Sequence, residues 1–328
     1  MIISKTPYRI SFFGGGSDYP DWYNEYSGAV LSTTINKHLY ITCRILPNFF
    51  DHKFRVVWSK IENVKNINDI KHPTVKYLLR FLKIQKGLEI HYDGDLPARS
   101  GMGSSSAFTV GLIKALNCLF GEKTTNFDIA KKAIIFEQKI MKEIVGSQDQ
   151  LATAVGGFNK ITFKKKQQFK FYPIKKTKNL KKLEDNLVLI YTGKTRTAYK
   201  IAKTYVGKLA TMKKNYINEM VQHVKEGEKI LDQGNIDDFG KLLNSAWLTK
   251  KKLSNSISNP KLDSLYNYAI KKGALGGKLL GAGGGGFFLF YIRKEHKKKL
   301  IQDSNKIISL PFKFTDTGSE IIYKNLKR

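Results

Sequence analysis

Read for apolar and polar alternation, the chain opens with a strand. Residues 1–13 (MIISKTPYRISFF) carry β-favouring side chains and run straight into Gly14, Gly15 and Gly16. AVLSTTI (29–35), LYITCRIL (39–46) and FRVVW (54–58) are rich in Val, Ile, Thr and aromatics, and predict further strands. HPTVKYLLRFLKI (72–84) has helical spacing with Pro73 near its start, and LEIHYDG (88–94) is strand-like again. Beyond it Phe108, Gly111, Leu112, Ala115, Leu116 and Leu119 recur at helical spacing, with Ser104, Ser105 and Ser106 placed to cap the helix. NFDIAKKAIIFEQKIMKEIVG (126–146) predicts one long helix closed by Gly146. Ser147 and Gln150 then predict a capping box on a short helix ending at Gly156 and Gly157. FNKITF (158–163) and FKFYPI (169–174) predict a hairpin.

The polar stretch KKTKNLKKLEDN (175–186) is the expected boundary between two domains, 1–180 and 181–328. NLVLIYTG (186–193) starts the second with a strand, followed by helices to about residue 271. GGKLLGAGGGGFFLF (276–290) reads as strand, tight glycine loop, strand. Gly281, Gly283 and Gly286 match G-x-G-x-x-G, but a dinucleotide site needs a helix next and FFLFYI is a strand. A basic helix (294–303) and strands near 306–314 and 317–323 close the chain.

One residue breaks the pattern. Around Glu137, the positions at helical spacing are Ala130, Ala133, Ile134, Ile140, Met141 and Ile144, all apolar. A carboxylate in such a stripe is costly unless a bound cation or a buried ion pair compensates it.

Composition narrows the class. The 328 residues are 41% hydrophobic, enough for real cores. No apolar run approaches the roughly 18–20 residues of a membrane helix, and Lys5, Pro7 and Arg9 interrupt any leader core. Cys43 and Cys118 are the only cysteines and the six histidines are scattered, which excludes a disulfide scaffold or zinc cluster and leads us to expect a cytoplasmic protein without a membrane partner. The net charge of +30 comes from 57 basic against 27 acidic residues, and only eight of the basic ones are arginine. Arginine forks suit nucleic-acid recognition better than dispersed lysine, so the charge predicts phosphorylated small molecules and no specific nucleic acid. Oligomeric state stays open, a homodimer included.

Three glycine-rich loci remain. LPARSGMGSSSAF (96–108) joins strand to helix, where free N–H groups and the helix dipole make an anion site, an ordinary capped helix being the alternative. FFGGGSDYP (12–20) sets Asp18 just after the glycines, placed to accept hydrogen bonds from ligand hydroxyls or else solvated in a flexible turn. Asp149, in GSQDQLATAVGG, occupies a first turn where the helix dipole alone would favour it.

With LLGAGGGGFF (279–288) as the third locus, TPYRISFFGGGSDYP and LPARSGMGSSSAF occur in the order that identifies the chain as resembling the GHMP kinase superfamily. The resemblance implies an α+β fold of two domains, an N-terminal ribosomal-protein-S5-domain-2-like domain and a C-terminal ferredoxin-like domain. ATP phosphates would lie on Pro97, Gly101, Met102, Gly103, Ser104, Ser105 and Ser106, with Mg²⁺ held by Ser105 and Glu137. Asp149 would orient or deprotonate the acceptor hydroxyl, and Arg9 beside it would help neutralise developing charge. Substrate would meet Gly15, Gly16, Ser17, Asp18, Tyr19, Arg99, Arg196, Gly283 and Gly284.

Within the superfamily, FFGGGSDYP, VGSQDQLATAVGG and YTGKTRTAYKI are most similar to sugar-1-kinases, notably bacterial D-glycero-D-manno-heptose 7-phosphate kinases. That implies phosphorylation of the anomeric O1 to the 1,7-bisphosphate, for nucleotide-activated heptose and cell-surface polysaccharide synthesis. An L-fucose or other hexose 1-kinase is the alternative within the superfamily, and a basic nucleic-acid-binding protein is the alternative from outside it.

Overall fold

A computed structural model describes residues 1–195, 198–302 and 307–326; Arg196 lies outside the described residues. The first sheet is built on β1 (Ile2–Phe13) and the 18-residue β2 (Gly28–Ile45), which pair antiparallel. β1 is covered on both faces, and only Ile3 and Lys5 along it are partly exposed. Its polar residues Ser4, Thr6, Arg9 and Ser11 are therefore buried as well, each held by a hydrogen bond. A short helix α1 (Pro20–Tyr23) follows the first glycine loop. The hairpin β3 (Phe54–Val57) and β4 (Ile61–Val64), the helix α2 (Pro73–Phe81) and the strand β5 (Leu88–Gly94) come next.

α3 (Ser104–Leu119) lies on the sheet, and Ser4 Oγ donates to the Gly111 carbonyl at 2.8 Å. Its N-cap is Gly103 in a left-handed conformation with no side-chain cap, so the serines do not cap the helix as expected. α4 (Asn126–Ile135) then changes to a π-turn over Phe136–Ile140. The single helix expected to run to Gly146 is corrected: Lys142 turns left-handed (φ 53°), and the Glu143 N–H returns to the Glu137 carbonyl at 2.9 Å. α5 (Gln148–Val155) lacks the expected capping box, because the Ser147 hydroxyl meets Tyr23 and Gln138 instead. The hairpin β6 (Asn159–Lys164) and β7 (Gln168–Pro173) forms as the pattern predicted.

Most of the polar stretch at 175–186 is helical. It folds as α6 (Lys178–Asn186), capped by the Thr177 hydroxyl, which accepts the Leu180 N–H, and anchored by the buried Leu183. β8 (Leu187–Tyr191), α7 (Ala198–Ala202), α8 (Lys214–Gln233), α9 (Ile236–Lys251), α10 (Pro260–Lys271), β9 (Ala274–Leu279), β10 (Phe287–Ile292), α11 (Lys297–Gln302) and β11 (Ile308–Leu310) follow. The second sheet has the order β11-β8-β10-β9, and all six side chains of β10 are buried. Trp247 of α9 packs edge-on against Phe288, with ring centroids 5.4 Å apart.

The last strands return to the first sheet. β12 (Phe314–Thr315) pairs with β2 at Thr34 and Ile35, filling the gap between the stretches of β2 that pair with β6 and β5. β13 (Glu320–Lys324) pairs with β1. The unit that begins at residue 1 therefore also takes in 314–324, beyond the boundary expected near residue 180. Among the described residues no helix is long and apolar enough to cross a membrane.

Candidate active site

The site lies where the ends of both sheets meet the three glycine loci. β13 covers β1 only at Ile2–Lys5, and the register with β2 shifts between Pro7 and Arg9, because proline brings no N–H to the ladder. The Arg9 N–H, on the uncovered edge, donates to the Met102 carbonyl at 3.1 Å. Its side chain runs inward to Asp149 at the start of α5. Nε meets Oδ1 at 2.7 Å and Nη2 meets Oδ2 at 2.6 Å, while Nη1 donates to the Gly101 carbonyl at 2.8 Å. One buried guanidinium thus holds both a carboxylate and the glycine loop at 97–106.

That loop ends in the first turn of α3, whose leading N–H groups have no intrahelical partner and point outward as anion donors. Gly101 has φ +81°, and a Cβ there would stand 2.6 Å from the Leu280 carbonyl oxygen, so no other residue fits. Met102 is fully buried and can offer a ligand only its backbone. Pro97 and Arg99 are exposed; Arg99 adopts φ 61°, and its N–H donates to Ser104 Oγ at 3.1 Å.

Glu137 is buried as the apolar stripe predicted, and its partner is a helix serine. Ser106 Oγ donates to Oε2 at 2.9 Å, and Gln150 Nε2 donates to the same oxygen. Ser105, expected to share an ion with Glu137, is exposed in the first turn of α3, one residue before Ser106. Glu137 Oε1 has no hydrogen-bond partner among the described residues. Burial, with Glu143 adding its charge, pushes Glu137 up to about 7 despite the nearby Thr109, Gln150 and Ser106. A buried carboxylate with one satisfied oxygen and one orphaned oxygen fits a hard divalent cation. Among the described residues no three His, Cys, Asp or Glu gather around one point.

On the opposite wall, Asp18 is buried beside Asp149 and accepts the Gly16 N–H at 2.9 Å. Burial and the Asp149 charge push it up to about 6. A Cβ on Gly146 would lie 1.8 Å from Asp18 Oδ2, so this glycine makes room for the acid rather than ending a helix. The Ser17 hydroxyl is engaged inside the loop with Gly14 and Ala29. Gly15 and Tyr19 stay partly exposed at the cleft, and Tyr205 is buried against Tyr19 and Asp18. In the third locus the Gly284 N–H is taken by the Ile257 carbonyl at 2.8 Å, and Gly283 abuts Ile257.

Two lysines escaped the sequence reading. Lys278 on β9 is buried and donates to the Phe12 carbonyl at 2.7 Å; burial and Arg9 hold it down at about 7, against the pull of Asp18. Lys250 on α9 is buried and donates to the Leu279 and Gly281 carbonyls, and burial with Lys278 and Arg9 pushes it far below its ordinary value. Lys250 carried a usable signal. Leu243, Ala246, Trp247 and Lys250 share one helix face, the same anomaly that exposed Glu137.

Comparison with known proteins fits this geometry. The sequence matches the description "GHMP kinases N terminal domain" over residues 68–157 and "GHMP kinases C terminal" over 228–306. It is 32% identical over 318 residues to the D-glycero-alpha-D-manno-heptose 7-phosphate kinase of Campylobacter jejuni, covering 92% of each chain. It is also 29% identical to the mevalonate kinase of Methanocaldococcus jannaschii, over 93% of this chain and 96% of that one. The fold superposes on a D-glycero-D-manno-heptose 1-phosphate kinase from Bacteroides thetaiotaomicron with a TM-score of 0.80 at 22% identity, covering 100% of both.

Proposed function

We propose, from the premise that the chain belongs to the GHMP kinase family of ATP-dependent sugar and alcohol kinases, that it phosphorylates the anomeric O1 of D-glycero-D-manno-heptose 7-phosphate to the 1,7-bisphosphate. The observation that carries the reading is the Arg9–Asp149 pair, set between the α3 N-terminus and the buried Asp18. Asp18 would accept hydrogen bonds from sugar hydroxyls, presenting O1 to Asp149. Asp149 would orient that hydroxyl and take its proton as the oxygen attacks the γ-phosphorus of ATP. The first N–H groups of α3 and the backbone of 101–103 would cradle the phosphates, and Arg9 would offset negative charge as the β–γ bond breaks. Glu137, with the Ser105 and Ser106 hydroxyls, would hold the Mg²⁺ that accompanies ATP and neutralises its phosphate oxygens. Phosphoryl transfer asks mainly for positioning and charge neutralisation, which this set supplies.

Arg99 is our candidate for the 7-phosphate, because it projects from the nucleotide loop into solvent on a strained backbone. The deciding experiment follows ADP release with Mg·ATP and a panel of heptose 7-phosphate, heptose, mannose 6-phosphate, fucose, galactose and mevalonate. Turnover restricted to the phosphosugars supports the reading. Turnover with fucose or galactose and none with any phosphosugar overturns it in favour of a hexose 1-kinase.

A further inference from the structure

The third glycine locus is held from behind. β9 ends at Leu279 and Gly281 turns left-handed at φ 70°, and across this turn successive carbonyls are engaged on two sides. Those of Leu279 and Gly281 face Lys250, which donates to both. The carbonyl of Leu280 faces Gly101, close enough that a Cβ on Gly101 would sit 2.6 Å from its oxygen. A second crossing lies a few residues on, where the Phe287 N–H donates to the Ser100 carbonyl at 3.2 Å. Gly101 in turn is gripped by Arg9, which also holds Asp149. A continuous path therefore runs from α9 through the third locus and the loop at 97–106 to the Asp149 carboxylate.

We infer that Lys250 is a positioning residue that presses the third glycine locus against the loop at 97–106 and so sets that loop's affinity for nucleotide phosphates. The inference rests on the reading of 97–106 as the nucleotide loop, but not on the identity of the sugar. Lys250 has two features that a space-filling residue would not need. It spends its donors on two carbonyls of one loop, and it stays buried where apolar neighbours such as Leu243 and Trp247 share its face. Replacing it by methionine keeps the unbranched apolar stem, one atom shorter, and removes every donor. The loop then loses its backing at 279 and 281, and Gly101 loses the wall opposite Leu280. Nucleotide binding weakens without any change in a group that touches the nucleotide.

The test uses the full-length protein and Mg·AMP-PNP, with no sugar present. Lys250→Met is expected to raise the Kd for Mg·AMP-PNP about tenfold, the order expected for withdrawing two hydrogen bonds that back a binding loop. Lys250→Arg, which keeps the donors, is expected to restore binding to within about threefold of wild type. Hydrogen exchange supplies a readout in the wild-type protein itself. Mg·AMP-PNP should protect amides at 100–106 and at 279–287 together, and in Lys250→Met only the first group. Protection absent at 100–106 in wild type would overturn the reading of that loop. Protection there without any at 279–287, or a folded Lys250→Met with wild-type Kd and exchange, would overturn the role of Lys250. Should Lys250→Met fail to fold, the wild-type exchange pattern decides.

Discussion

Arg9 and Asp149 are joined at two points, Nε to Oδ1 and Nη2 to Oδ2, and the remaining guanidinium nitrogen donates to the Gly101 carbonyl. Only a planar fork can make all three contacts at once. A lysine at this position could reach one carboxylate oxygen or the loop, but not both. Arg9→Lys should therefore lower kcat by about tenfold or more, and Asp149→Asn by roughly 10²–10⁴-fold. Because the two residues act as a unit, the double variant should lose little more than Asp149→Asn alone. ADP release with the accepted sugar checks all three. Additive losses would mean that the two residues act independently and that Arg9 does not work through Asp149.

Glu137 ought to weaken the fold it sits in. Its pKa rises from an ordinary 4.5 to about 7. A carboxyl group with a folded value above its unfolded one costs stability as pH climbs between the two. At pH 8 that cost is on the order of 3 kcal/mol. Glu137→Gln keeps the shape and removes the titration, so without Mg²⁺ its urea midpoint should exceed that of wild type at pH 8 and converge with it near pH 4.5. The same variant should lose Mg²⁺-dependent turnover. A midpoint at or below wild type at pH 8 would show that Gln150 and Ser106 already compensate the charge.

Lys278 gives the opposite slope. Its value is held at about 7, below the ordinary 10.5 for lysine. The folded protein sheds this proton before the unfolded chain does, so the group adds stability as pH rises from 7 towards 10.5. Between pH 7 and pH 9 the gain is about 2–3 kcal/mol. Lys278→Met should flatten this rise: relative to wild type the variant should be most stable at pH 7, where the costly charge is removed, and lose that advantage by pH 9, where the neutral amine keeps its bond to the Phe12 carbonyl. Urea titrations at pH 7 and pH 9 read the difference in slope directly.

Much of this site could be read from the sequence because it rests on local rules. Three glycine runs that no helix or strand would tolerate marked the loops, and the apolar neighbours of Glu137 marked a carboxylate needing compensation. Other features depended on phase or on distant contacts. Ser105 and Ser106 differ by about 100° around α3, and which one meets Glu137 depends on where the helix starts. The cap is Gly103, and that phase places Ser106 inward. The π-turn at Phe136–Ile140 adds a residue to the helix, which no periodicity count of the flanking apolar positions revealed. α6 was hidden by its lysines, since a nine-residue helix needs only a narrow buried face, here anchored by Leu183. The return of β12 and β13 to the first sheet was invisible because pairing across about 300 residues leaves no local mark.

Arg99 offers a way to separate folding from recognition at one position. Its backbone is left-handed at φ 61°, a conformation that costs a residue with a Cβ roughly 1 kcal/mol and costs glycine almost nothing. Its side chain is exposed, so removing it opens no cavity. Arg99→Gly should therefore leave the melting temperature unchanged or slightly higher. If the guanidinium clamps the 7-phosphate, the KM for heptose 7-phosphate should rise about tenfold or more, as for loss of a charge-assisted phosphate contact, while the KM for ATP moves little. A larger effect on ATP would assign Arg99 to the nucleotide phosphates, leaving the sugar phosphate to another cation. Arg99→Lys, measured in parallel, shows whether charge alone or the planar fork is required, because lysine keeps the charge at the cost of the same strained backbone.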